Sequence, residues 1–350
     1  MMGNVYQLPG AYLSRLNFKE PVRLNGAQIE GRSRFCADVL VKEKPDVFIT
    51  ELFPLGREES RYELAPSLIK SSQQGCSLWA VAGYPLLTAL NDTWRKSIIK
   101  LYKRIIIFSP PEEKEYIADA FTQKEDRQKY LNFFEQNKDK ITFAGYLLPK
   151  GEVIHEHKDE NIYKPPVPLK ALRIAVIRGG GAYYPKLITE AILASDLLGT
   201  QYYWTVIAGP STTPEEWYLF STLVYKKKVK NLVMYRSVGD YERLIEHSDV
   251  CVSVAPYHTS AMLLKHRKKA VVVPFQGLGD MSCREQPARA AMLKDHIGAE
   301  ILSYDELTAG TLGVMINKAA AAPDKEPKVP SEWFDGANVL DQAFKGFFRH

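Results

Sequence analysis

Residues 173–185, RIAVIRGGGAYYP, decide the fold. The first six are rich in β-branched side chains and read as a short buried strand. Gly179, Gly180 and Gly181 then turn the chain, and Pro185 follows where a first helical turn accepts proline. A strand, a glycine turn and a helix make one step of an α/β unit. The step repeats downstream. Apolar runs at 203–208, 231–235, 250–254 and 270–274 alternate with helical stretches at 185–198, 214–229, 241–247 and 261–267. Alternation at this spacing predicts a parallel sheet with helices on both faces.

Upstream the same grammar is looser. Residues 47–50, 77–82, 104–108 and 142–144 are strand-like, separated by helical patterns at 26–42, 64–72, 86–102 and 127–137. Between the halves, KPPVP at 164–168 carries three prolines, which stiffen a linker and exclude regular structure. An α/β chain of two Rossmann-like domains is therefore expected: the first over 1–163, the linker over 164–168, the second over 169–322. The alanine run at 319–322 and the stretch 323–330 read as a break. A terminal helix within 331–350 is expected to cross back onto the first domain. The length of 350 residues suits two domains of roughly 150 residues each.

Composition narrows the class. With 45% hydrophobic and 25% charged residues the chain is an ordinary globular one. No apolar run approaches the ~18 residues that cross a bilayer. The start, MMGNVYQLPG, lacks the basic flank and apolar core of a secretory signal, so a cytoplasmic location is expected. Cys36, Cys76, Cys251 and Cys283 are scattered without a CxxC pair, which excludes a zinc ribbon and argues against a disulfide framework. Two basic clusters, Lys226-Lys227-Lys228-Val229-Lys230 and Lys265-His266-Arg267-Lys268-Lys269, shape a net charge of +5. They read first as solvated helix ends, where cations complement the dipole. The sharper reading is peripheral contact with the anionic inner face of a membrane. No nucleic-acid module accompanies the charge, so nucleic acid is set aside.

Three strand ends carry groups with chemistry. Backbone N–H groups of the glycine turn can close on a phosphate, helped by the helix amino terminus and by Arg178; the plainer reading is a turn needing positive φ. The turn is neither GxGxxG nor a lysine-bearing P-loop. Next, SVAPYHT at 253–259 places Ser253, His258 and Thr259 beyond a strand, where open sheets bind ligands. There Thr259 also reads as a helix cap and His258 as a solvated loop residue. Third, VPF at 273–275 leads to REQPARA at 284–290, where Glu285 and Gln286 suit sugar hydroxyls. An acid placed for the helix dipole is the alternative for Glu285. Glu51, at a strand end of the first half, is a candidate general base or an edge carboxylate paired with Arg57 or Arg61. His155 and His157 lack a third ligand and read as a charged connector, so no metal site is expected.

The order and spacing of these loops resemble the donor-binding domain of the GT-B glycosyltransferases. The nearer likeness is to the bacterial cell-wall N-acetylglucosaminyltransferases, with their family 28 carboxy-terminal domain, and to glycosyltransferase relatives known from sequence. It is carried by the GGG turn, AGP at 208–210, SDVCVS at 248–253, Thr259, VPF at 273–275 and EQPARA at 285–290. In the first half, KPDVFITE at 44–51 and FPLGR at 53–57 resemble the same relatives. The resemblance implies a nucleoside-diphosphate sugar, UDP favoured, held by the second domain, with the acceptor on the first. Gly179, Gly180 and Gly181 would approach the diphosphate, and Glu285 and Gln286 the sugar. Gly209, Ser253, His258, Thr259 and Arg289 would complete the donor site. No cofactor is implied. The lack of any Asp-x-Asp agrees with diphosphate neutralised by helix ends instead of a metal.

The chain also departs from that pattern. Relatives show Gly-Tyr-Asn-Thr where this chain has Pro256-Tyr257-His258-Thr259, and a ribose-holding glutamate where it has Met262. Trp79-Ala80 stands in place of an arginine–aspartate pair. The first domain is expected to lack the opening strand and glycine-rich loop, with 5–8 reading as a later strand. These departures motivate a second expectation, a non-catalytic relative that binds or scaffolds. A nucleotide-sugar 2-epimerase, which shares the two-domain fold, is the third.

Overall fold

The run at 173–178 becomes the strand around which the second half of the chain is organised. In the computed structural model, residues 26–56, 60–84, 93–148, 171–180, 184–275, 277–278, 281–282, 284–324 and 329–349 are described. The expected linker at 164–168, the run at 5–8, Arg57, His155, His157, Gly181 and Cys283 lie outside them. Contacts divide the chain into two compact units. One takes the described residues up to Pro111, then Gln123–Leu147, and those from Asp335 onward; the other takes Glu112–Thr122 and the described residues between Leu148 and Phe334.

The second unit holds six parallel strands: β5 (Leu172–Ile177), β6 (Tyr202–Ile207), β7 (Leu232–Tyr235), β8 (Val250–Ser253), β9 (Ala270–Val272) and β12 (Glu300–Ile301). Their order is β12-β9-β8-β5-β6-β7, every neighbouring pair parallel. The chain runs outward from β5 to β7 and then jumps to β8 on the other side of β5. That reversal puts a topological switch between β5 and β8, where open α/β sheets leave a crevice at their carboxyl edge. Both faces are covered, as the near-continuous apolar strands require. Helix α6 (Pro185–Leu198) packs beside α7 (Pro214–Lys227) and α11 (Ala309–Ala321), and α9 (Tyr257–Lys265) beside α8 (Tyr241–Glu246) and α10 (Glu285–Ile297). Ile174, Val176, Ile188, Trp204, Val252 and Ile316 are among the residues closing the core. A two-stranded antiparallel hairpin, β10 (Gly277–Leu278) and β11 (Met281–Ser282), leaves the end of β9.

The first unit holds a four-stranded parallel sheet in the order β1-β2-β3-β4. Its strands are β1 (Val47–Glu51), β2 (Ser77–Ala82), β3 (Tyr102–Ile107) and β4 (Ile141–Phe143), with helices α1 (Gly26–Glu43), α2 (Arg61–Gln73), α3 (Thr93–Leu101) and α5 (Lys124–Gln136). The last helix, α12 (Gly336–Phe347), belongs to this unit, and its Phe344 and Phe347 meet the buried Trp79 ring at 5.0 and 5.7 Å. Gly336 permits that docking: a Cβ there would lie 2.8 Å from the carbonyl oxygens of Gly145 and Tyr146.

Two segments differ from the sequence expectation. The alanines at 319–322, read as a break, close α11, whose Thr308 caps it in a reciprocal box with Thr311. Alanine is the strongest helix former, so the run extends the helix until Ala322 turns extended. Residues 331–334 form one 3-10 turn, separate from α12. A further helix, α4 (Glu113–Asp119), lies within the stretch expected to form the first domain yet packs on α10 of the second unit.

Local signals hold α7 in place. Thr213 accepts from the Glu216 N–H at 3.1 Å while the Glu216 carboxylate accepts from the Thr213 N–H at 3.1 Å, and Pro214 opens the helix. Loss of such a cap costs about 1 kcal/mol. Thr213→Ala is expected to lower the second unit's stability by about that amount, read as a shifted urea midpoint with unchanged slope.

Candidate functional site

At the carboxyl edge of the six-stranded sheet, three strand ends close on one another. Gly179, after β5, has φ +86, and a Cβ on it would stand 3.1 Å from the Pro256 ring that follows β8. Gly209, after β6, has φ +95, and its Cβ would stand 2.5 Å from the Gly179 carbonyl oxygen. Ser211 donates to the Gly180 carbonyl at 2.7 Å, tying the two loops further. Side chains are therefore excluded at Gly179 and Gly209 by geometry and by φ alike. At Gly180 a Cβ would meet nothing within 4 Å and the φ is ordinary, so that residue faces open space.

The helices that leave this edge begin beside it. Amino termini carry unpaired N–H groups and positive potential, which makes such an edge receptive to anions. α7 is capped by its own threonine, whereas α6 and α9 have no side-chain cap. Arg178 does not contribute the free charge expected of it. Its side chain is fully enclosed and its Nη atoms donate to Glu216 at 3.3 and 3.4 Å, so the capping carboxylate absorbs the cation.

The loop after β8 keeps His258 at the surface but takes Thr259 into a helix. Helix α9 starts at Tyr257, with Pro256 as its cap residue, so Thr259 lies inside the first turn and is buried. His258 is exposed, its ring edge-on to Tyr257 at 5.0 Å. Ser253 ends β8 fully buried, and its hydroxyl has no hydrogen-bond partner. Met262, at the position where relatives carry a ribose-holding glutamate, is wholly interior. Its side chain packs the core and cannot substitute for a polar contact. Trp79 and Ala80 are likewise interior to β2 in the first unit.

Glu285 and Gln286 open α10, as the sequence reading requires. Gln286 Oε1 accepts from Tyr184 OH at 2.8 Å and from the Phe275 main-chain N–H at 3.1 Å, which joins the α6 and α10 entrances to the end of β9. Burial pushes the Glu285 carboxyl above the ordinary glutamate range, opposed by the Arg289 charge. Arg289 was expected on the donor. It is instead enclosed, 1% exposed, and its Nε donates to Glu113 of α4 at 2.9 Å. The guanidinium is engaged inside the second unit and not displayed.

Glu51 ends β1 in the first unit and is exposed; among the described residues it forms no ion pair, with Arg61 turned to the Tyr62 and Trp94 rings. The second basic cluster is largely committed locally. Lys265 and His266 meet Glu242 at 2.7 and 2.8 Å, and Lys268 donates to the Glu246 and Ser248 carbonyls at the end of α8. Lys227 pairs with Asp196 at 3.5 Å. Among the described residues no three His, Cys, Asp or Glu side chains gather as a metal group, and no helix is long and apolar enough to cross a membrane.

Sequence reading missed Tyr184 and Glu113. A tyrosine at left-handed φ carries no composition signal. Glu113 finds its partner 176 positions away.

The chain has the GT-B glycosyltransferase fold, as its two parallel sheets and the edge between β5 and β8 suggest. The solved calicheamicin glycosyltransferase CalG4 superposes with a TM-score of 0.57 at 14% identity, over 92% of this chain and 80% of that one. MurG of Acinetobacter baumannii matches with a TM-score of 0.51 at 15% identity, over 92% and 81%. UDP-GlcNAc 2-epimerase of Methanocaldococcus jannaschii, solved with UDP-GlcNAc and UDP, matches with a TM-score of 0.52 at 13% identity, over 93% and 83%. Among curated proteins, an uncharacterized glycosyltransferase of Methanosarcina mazei is 25% identical over 271 residues, which are 76% of this chain and 62% of that protein. The match thus spans less than two thirds of that relative's length. No family model matches the chain.

Proposed function

We propose that the chain is a glycosyltransferase that takes a sugar from a nucleoside diphosphate, UDP favoured, bound at the carboxyl edge of the second unit. The observation that carries this reading is the side-chain-free junction of Gly179 and Gly209 with Pro256 at the β5/β8 switch. Backbone N–H groups there, with the α6 and α9 amino termini, can stabilise a departing diphosphate without a metal. Glu285 and Gln286 face the sugar in this reading, the acceptor belongs to the first unit, and Glu51 is its candidate base. A location at the cytoplasmic face of a membrane is part of the same reading, supported by exposed lysines at the end of α7 such as Lys226.

Saturation-transfer NMR with UDP- and GDP-sugars tests the donor site. Gly180→Val is the sharp probe, because its side chain enters open space and leaves the packing intact. Binding to the wild type and at least tenfold weaker binding to Gly180→Val, with unfolding midpoints equal, is expected (about 1.4 kcal/mol by). Equal binding by both proteins would refute the donor site.

One observation favours a non-catalytic relative: the interior placement of Met262 leaves the ribose without the charged partner that relatives supply. Such a contact is worth about 1.5–3 kcal/mol. Sugar transfer or donor hydrolysis by the purified chain decides against that reading. Conversion of the donor without any acceptor, in a coupled assay, would establish the 2-epimerase instead.

A further inference from the structure

Gln286 is held in a way that fixes which half of its carboxamide a ligand can meet. The Phe275 main-chain N–H lies 3.1 Å from Gln286 Oε1, and a main-chain N–H can only donate. That contact therefore assigns the oxygen, which an amide otherwise leaves to choice. Tyr184 OH, at 2.8 Å, donates to the same oxygen. Two bonds occupy both lone pairs of the carbonyl. The Nε2 donors have no partner among the described residues, and Gln286 itself is half-buried.

The clamp is itself rigid. Tyr184 immediately precedes α6 at φ +80, a left-handed conformation that a bulky residue adopts only when its surroundings impose it. Its ring is 6% exposed and stands edge-on to Phe275 at 4.9 Å and to Tyr304 at 5.8 Å, while Phe275 and Tyr304 meet at 6.0 Å. Three rings thus fix the hydroxyl, and the hydroxyl fixes the amide. On the preceding residue of the chain, Glu285 Oε2 is enclosed and lacks a hydrogen-bond partner.

We infer that Tyr184 is a positioning residue that locks Gln286 as a donor-only group, so that the ligand must offer a hydrogen-bond acceptor there. A sugar hydroxyl oxygen, a carbonyl or a carboxylate satisfies that demand; an ammonium substituent, which has donors alone, is rejected. This rests on the reading of the edge as a nucleotide-sugar site, and it adds the polarity of the sugar contact and the residue that sets it.

Two variants separate the lock from the site. Gln286→Glu keeps an acceptor for both Phe275 and Tyr184 but removes the outward N–H pair. Tyr184→Phe keeps the ring cluster and removes one clamp. Affinities for UDP, UDP-glucose and UDP-N-acetylglucosamine are measured by calorimetry on the full chain, with unfolding midpoints recorded for each variant. In Gln286→Glu the ratio of UDP-sugar to UDP affinity is expected to fall about tenfold and in Tyr184→Phe about threefold, UDP affinity itself holding within about twofold. An unchanged ratio in Gln286→Glu overturns the inference. The lock also has a readout without ligand. The Gln286 side-chain N–H pair, assigned from its loss in Gln286→Glu, is expected to be well dispersed in wild type and to move toward free-glutamine positions in Tyr184→Phe. No movement overturns the lock, whatever the ligand results. Failure of wild type to bind UDP or either UDP-sugar would instead refute the proposed function, and the amide signals would still decide the clamp.

Discussion

Gly209→Ala is expected to destabilise the second unit by about 3 kcal/mol and to abolish nucleotide binding. Two costs combine. Left-handed φ costs an alanine ~1–2 kcal/mol, and Gly209 sits at +95. Its Cβ would also come within 2.5 Å of the Gly179 carbonyl oxygen, which is backbone and cannot swing away. Relieving that overlap moves the two loops apart, at a further ~1–3 kcal/mol. For a unit of this size the sum lowers the melting temperature by roughly 10 °C. The shift in loop position also spoils whatever the Gly179 and Gly180 N–H groups surround. Gly180→Val, which meets open space, changes binding while leaving the melting temperature in place. A Gly209→Ala protein with wild-type melting temperature would show that the two glycine turns do not press on each other.

These two glycines also mark how far the sequence could be read. The β-branched run at 173–178 and its successors give strands almost where they were expected, because a buried parallel strand needs little besides apolar residues and a turn. The order β12-β9-β8-β5-β6-β7, and with it the switch point, was not legible, because the same alternation serves more than one strand order. Helix α11 escaped because Gly310 and Gly313 interrupt its pattern. Gly313 is there for packing: a Cβ would stand 3.2 Å from Leu198 Cδ2 of α6, so the glycine lets two helices approach. The site was legible at the same grain. Glu285 and Gln286 open a helix beside the switch, as their position after VPF implies. What they bond to was not legible, since Tyr184, Phe275 and Glu113 reach them or their neighbour Arg289 from 102, 11 and 176 positions away. Arg289 illustrates the loss. A cation four residues after Glu285 was implied for the donor site by the resemblance and is a structural tie in three dimensions.

Arg289→Met is expected to cost about 3–5 kcal/mol, because it takes the guanidinium away from an enclosed carboxylate. Glu113 is 0% and Arg289 1% exposed, at 2.9 Å, so neither charge can fall back on water. The pair is what seats α4 on α10, with Tyr116 of α4 donating to Asp295 of α10 at 3.1 Å farther along. Replacing both partners by apolar residues, Glu113→Leu with Arg289→Met, removes both buried charges and is expected to return stability to within about 1 kcal/mol of wild type. The two single variants and the double then form a cycle whose coupling energy, from urea unfolding, is large and favourable. A double variant as unstable as the sum of the singles would show that packing, not charge, seats α4. The pH dependence gives a second check. Burial already holds the Glu285 carboxyl above its unfolded value, and the Arg289 charge, 3.9 Å away, pulls it back down. Without that charge the folded value rises further, so the folded state of Arg289→Met binds more protons than the unfolded state above the ordinary glutamate range. Its stability therefore falls as pH rises through that range, more steeply than that of wild type. Adding Glu285→Gln to Arg289→Met removes the Glu285 share of that slope, and the difference between the two slopes measures it.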